Sequence, residues 1–157
     1  MTDKKPKPKG ILQKSEARMA AVKALYATDI ASHTEEKPDP WAITLGILSS
    51  YDSGAEYYFS EQPDKKFLNK LISGVSNNLS EVDSIIERNL NDDWKKERIG
   101  NVMLALLRCA VFELANIEKI PFKVIINEYV EIGHAFFTDR EVKFINGILD
   151  KIAGQVR

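Results

Sequence analysis

Cysteine is almost missing from this chain of 157 residues: Cys109 stands alone, which excludes an intrachain disulfide and any cysteine-based zinc cluster. That usage fits a reducing compartment, and the cytoplasm is the expected location. Long apolar runs are missing too. The longest, Val102 to Leu107, falls far short of the roughly 20 residues a membrane helix needs. The opening TDKKPKPKG is basic but leads into neither an apolar core nor a small-residue cleavage site, so no secretory leader is expected. The eight glycines are scattered and form neither a GxGxxG fingerprint nor a GK[ST] loop, which argues against a bound nucleotide. Histidine is scarce, with only His33 and His134. Glu131 and His134 form one E-x-x-H pair of the kind that helical bundles use twice for a di-iron site, but the second pair is lacking. No metal or other cofactor is expected, and the stripe Asn127, Glu131 and His134 reads as a polar helix face.

What is present is a mixture able to build one core. Hydrophobic residues make up 44% and charged residues 29%, within the range of ordinary globular domains. At this length folding buries roughly 70% of the unfolded chain's surface, enough for stability without staples. The net charge of -1 hides an uneven distribution: Met1 to Arg18 holds six basic and two acidic residues, and the remainder carries -5. A basic edge on an acidic body suits a protein that meets a polyanion on one side, although a solubilising tail has the same composition.

Residues 1–13 contain Pro6, Pro8, Gly10 and four lysines, and are expected to be a flexible basic arm preceding a single domain over 14–157. From Ser15 to about Ser32 an alanine-rich stretch with Val22, Leu25 and Tyr26 predicts a helix with a narrow apolar stripe. Asp39 and Pro40 signal the start of a second helix reaching about Tyr51, with a loop over 52–63. Asp64 caps a third, whose apolar face is Phe67, Leu68, Leu71, Ile72 and Val75. Gly74 on that face marks either a close helix contact or a plain weak spot in the helix. Ser80 with Asp83 resembles a capping box for a fourth helix.

Ile99 to Ile117 is apolar almost all round and predicts a central helix surrounded by others. Pro121 opens a sixth helix through Phe137, and Thr138 with Glu141 caps a seventh. No stretch alternates as a strand does. The fold class is therefore all-α, a seven-helix bundle.

Charges inside the apolar segment call for partners. Arg108 and Glu113 point about 140° apart on a helix of 3.6 residues per turn and should either pair with different neighbours or lie at its exposed margin. Cys109, in the same segment, reads as an inert core thiol rather than a nucleophile acting with His134. Aromatic and basic residues occur together at two places, a combination that holds single-stranded RNA by stacking and phosphate neutralisation. Tyr26 follows Arg18 by about two turns, and Lys143 and Phe144 follow Arg140 near the start of the last helix. Phe144 also fits a plain core position.

The blocks ARMAAVKALY (17–26), FLNKLISGVSNN (67–78), WKKER (94–98), LLRCAVFEL (106–114), IPFKVIINEYVEIGHAFF (120–137) and KFINGILDKI (143–152) resemble, in order, the signature blocks of the NusB family of bacterial transcription antitermination factors. The resemblance implies a seven-helix bundle of the NusB type without catalytic activity. Such a factor binds the boxA segment of ribosomal RNA transcripts jointly with NusE, a small-subunit ribosomal protein, within the antitermination complex of RNA polymerase. Carried over by position, it implies RNA contacts at Lys14, Arg18, Tyr26, Arg140, Lys143 and Phe144, and NusE contacts at Arg98, Asn101 and Met103. Where many relatives have an arginine run, this chain has Lys14, Ser15 and Glu16, which thins the bidentate phosphate grip. A protein-binding adaptor with weak RNA affinity is the alternative. RNA cytosine methyltransferases carry a similar domain, but the chain's end at Arg157 leaves no room for a cofactor-binding domain, so an enzyme is not expected.

Overall fold

A computed structural model of the chain describes residues 7–32, 39–52, 61–91, 94–95 and 98–157. Among them lie seven α-helices and no strand: α1 (Lys9–Ala31), α2 (Pro40–Asp52), α3 (Lys65–Asn77), α4 (Leu79–Asn89), α5 (Asn101–Asn116), α6 (Phe122–Phe136) and α7 (Asp139–Val156). His33, Lys4, Lys5 and most of the expected loops before α2 and α3 lie outside the described residues.

α5 packs against α1, α3, α4, α6 and α7, and its Leu106, Leu107, Cys109, Ala110, Val111 and Leu114 are fully buried. An apolar surface all round is stable only under such cover, since each buried aliphatic side chain contributes about 1.5–3 kcal/mol. The alanines of α1 serve a different purpose. Ala17, Ala20, Ala21 and Ala24 are buried in the core cluster, where small side chains let the α1 backbone approach its neighbours. Close approach recurs at Gly74 of α3: a Cβ built there would fall 2.0 Å from Cζ of Phe112, so only glycine fits against that ring. Gly100 precedes α5 with φ 81°, a conformation that side chains rarely adopt and that turns the chain sharply into the central helix.

Local signals explain most helix starts. The Asp64 carboxylate accepts the Phe67 amide at 3.0 Å and caps α3. Thr138 and Glu141 form a reciprocal capping box on α7. Four starts differ from the sequence expectation, α5 by beginning at Asn101 rather than Ile99 and α6 by beginning at Phe122 with Pro121 as its N-cap. α1 begins at Lys9 rather than Ser15, so residues 9–13 are helix and not arm. Pro8, at the N-cap with φ -56°, starts a helix readily because its missing N–H is one the first turn leaves unpaired. The added turns are tied down where the Asp64 amide donates to the Gln13 carbonyl at 2.9 Å. α4 starts at Leu79, with Asn78 as its cap and Ser80 already in the first turn. Asp83 faces α5, where it accepts from Nε and Nη2 of Arg108, each at 2.8 Å.

Candidate nucleic-acid interface

The two charges within α5 do take different partners, and Glu113 decides the fate of a residue on α1. Arg18 is 2% exposed. Its Nε donates to both carboxylate oxygens of Glu113, at 3.0 and 2.9 Å, and Nη2 donates to Oε1 at 2.6 Å. The Tyr129 hydroxyl donates to the same carboxylate at 2.8 Å. Burial works against the Arg18 charge, but the Glu113 carboxylate outweighs it and holds the guanidinium protonation equilibrium above its ordinary value. Burial, reinforced by the nearby carboxylate, pushes the Tyr129 phenol up, so it remains a hydrogen-bond donor. A correction to the expected RNA site follows: Arg18 lies inside the bundle, because a buried carboxylate on α5 requires a bidentate cation and α1 supplies it.

The network continues to the surface through Glu128 of α6. Ser15 donates to its Oε2 at 2.8 Å, and Lys7 Nζ lies 3.1 Å from Oε1 and 3.2 Å from Glu131. One lysine of the expected basic arm is thus engaged with α6. Lys14 stays half-exposed, 3.5 Å from Asp64, with Nζ 5.6 Å from the Phe67 ring centroid. Tyr26 lies exposed further along α1.

The start of α7 forms the second half of the expected site. Arg140 and Lys143 are exposed there. Phe144 is half-buried against the core, and its ring stacks on Trp94 with centroids 4.1 Å apart and planes 10° from parallel. The Arg140 guanidinium carbon lies 5.4 Å from the Trp94 ring centroid. The order is therefore cation, indole, phenyl, with one face of Phe144 covered by Trp94 and not open to a base. Trp94 was not expected as a site residue; the signal available was its position next to the basic KKER segment. Both α1 and α7 pack on α5 and α6, which hold the two halves of the site in one body.

Of the expected NusE contacts, Arg98 and Asn101 are exposed beside Gly100. Met103 corrects the expectation: it is 1% exposed and belongs to the hydrophobic core, because its position on the first turn of α5 faces inward. Glu131 and His134 are exposed on α6, and no group of three or more potential metal ligands occurs among the described residues. Burial pushes the Cys109 thiol well up, consistent with an inert core position. No described helix is long and apolar enough to cross a membrane.

These features define an all-helical bundle wrapped around one buried helix, with cationic and aromatic side chains gathered at the start of its last helix. The chain belongs to the NusB family, whose model matches residues 15–154. It is 35% identical over 160 residues to the transcription antitermination protein NusB of Allorhizobium ampelinum, covering 98% of this chain and 93% of that protein. A NusB of Rhizobium etli is 37% identical over 153 residues, covering 92% and 88% respectively. Among solved structures, that of T. maritima NusB superposes with a TM-score of 0.72 at 32% identity, covering 90% of this chain and 91% of that one. A chain from a complex of the antitermination factors NusB and NusE with double-stranded RNA shares the fold, with a TM-score of 0.73 at 23% identity over 92% and 98% of the two chains.

Proposed function

We propose that this protein is a non-catalytic, cytoplasmic transcription antitermination factor that binds boxA-type single-stranded RNA together with NusE in the antitermination complex of RNA polymerase. The near full-length likeness to proteins of that name carries the reading. It is supported by the exposed cations around a stacked aromatic pair at the capped start of α7.

In this reading Lys14, Tyr26, Arg140 and Lys143 face RNA directly. Arg140 and Lys143 neutralise phosphate beside amides at a helix N-terminus, where anions are favoured. Phe144 meets a base with the part of its ring that Trp94 leaves uncovered, and Trp94, held between Phe144 and Arg140, keeps that cation in place. Arg98 and Asn101 face NusE. The test is a titration of labelled boxA RNA with and without NusE: binding that NusE strengthens supports the reading. Binding of NusE alone, with RNA affinity no greater than that of an unrelated basic protein, would favour the adaptor reading. That alternative draws on the loss of Arg18 to the interior and of Lys7 to Glu128.

A further inference from the structure

Beside Lys14, which the RNA-binding reading already uses, three further lysines gather, so that four converge from three segments distant in sequence. Lys14 comes from α1, Lys66 and Lys70 from the first turns of α3, and Lys119 from the link between α5 and α6; together they line a groove of about 180 Å³. Lys66 and Lys70 are four apart on a helix and so share one side of it. Among the described residues no carboxylate lies within ion-pair distance of Lys66, Lys70 or Lys119. The one acid lining the groove, Asp64, is already engaged by the Phe67 amide at 3.0 Å and by Lys14 at 3.5 Å.

α3 carries Lys65 and Lys66 in its first turn, and the Asp64 carboxylate at the N-cap supplies the negative charge at that helix start. The groove is also held in shape. Arg157 donates to the carbonyls of Leu114 at 2.8 Å, Ile117 at 2.7 Å and Ile120 at 2.9 Å, which fixes the backbone carrying Lys119. Its aromatic floor, Phe67, is 7% exposed and lies beneath Lys14 and Arg18, with their charged ends 5.6 and 5.1 Å from the ring centroid, so no base can stack on it.

We propose that this lysine groove is a second nucleic-acid contact, which takes backbone phosphates of the RNA strand outside the segment read at α7, without regard to sequence. The proposal rests on the RNA-binding reading above and adds a site to it. Point-like ammonium groups on flexible stems suit phosphates whose exact position varies, and the covered aromatic removes base readout.

The test uses the full chain with Lys66→Gln, Lys70→Gln and Lys119→Gln combined, and a Lys→Arg triple variant as control. Anisotropy titrations would use a single-stranded RNA containing boxA with flanking nucleotides, and a uridine homopolymer, over a range of salt. The glutamine variant should lose about tenfold in affinity for both RNAs. Its log–log salt slope should be shallower by about 2, since each single-strand phosphate contact contributes roughly 0.7. The arginine variant should bind as the parent does. Circular dichroism should be unchanged, because all three side chains are exposed. If the parent binds boxA RNA and the glutamine variant matches it in affinity and slope, the groove proposal is overturned and the RNA-binding reading stands. Loss of NusE binding with RNA affinity intact would also overturn it, assigning the groove to a protein. If the parent binds neither RNA, both fall.

Discussion

Arg18 and Glu113, 95 residues apart in sequence, form a bidentate ion pair in the interior with both side chains at or below 2% exposure. The pair joins α1 to the central helix, against which α1 packs. Tyr129 and Glu128 bring α6 into the same network. Removing one member leaves the other charged and desolvated, which costs more than the pair contributes when intact.

Arg18→Met should therefore destabilise the protein by about 3–5 kcal/mol in urea denaturation, and Arg18→Met with Glu113→Leu should recover most of that loss. RNA affinity of the folded double variant should match the parent. A single variant of undiminished stability that binds RNA poorly would return Arg18 to the surface as an RNA contact.

Gly74→Ala should destabilise by about 1–3 kcal/mol, through overpacking against the Phe112 ring and not through helix propensity, which favours alanine. Adding Phe112→Leu should reduce the penalty, because the atoms nearest the added Cβ belong to that ring. Equal stability of Gly74→Ala and the parent in thermal melts would show that the two helices can separate at no cost.

Phe144→Ala should cost about 1–3 kcal/mol of boxA affinity with little change in salt slope, as expected for an aromatic contribution. It should also shift Trp94 fluorescence, since the indole loses its stacking partner at 4.1 Å. Lys143→Ala should instead flatten the salt dependence. A Phe144→Ala protein with a lowered melting temperature and full RNA affinity would make this residue purely structural.

Glu141 gives the α7 capping box a pH dependence. Its hydrogen bond with Thr138, followed by those with backbone amides, holds its carboxyl below the ordinary value of 4.5. A depressed folded-state value means the contribution is fully present above the unfolded value and is lost as pH falls through the folded one. Thr138→Val should accordingly lower the melting temperature at neutral pH, and the difference from the parent should narrow in acid below about pH 4. A gap that stays constant down to pH 2 would assign the effect to backbone propensity alone.

Local chemistry made much of the architecture legible. The caps at Asp64 and Thr138 need only their own next three residues, and the apolar periodicity of α3 and α7 needs only its own helix. The start of α1 was misread because Pro8 and Gly10 suggest an unfolded arm, whereas a proline just before a helix is compatible with its first turn. At the candidate site, Arg140 and Lys143 were legible as exposed cations near a helix start. Arg18 and Met103 were not, since each has the residue type or the position of a surface contact and is held inside by neighbours from elsewhere in the chain.

The sequence by itself determined an all-helical fold with one apolar helix requiring cover on every side, and it carried the family's signature blocks in order. Those properties are written in spacing and residue type within single helices. Only the tertiary structure decided which arginine is core, which face of Phe144 is covered by Trp94, and that Lys14, Lys66, Lys70 and Lys119 share a groove. Periodicity states which face of a helix turns inward but not what it meets there, and the energy of a charge or a ring depends on that neighbour.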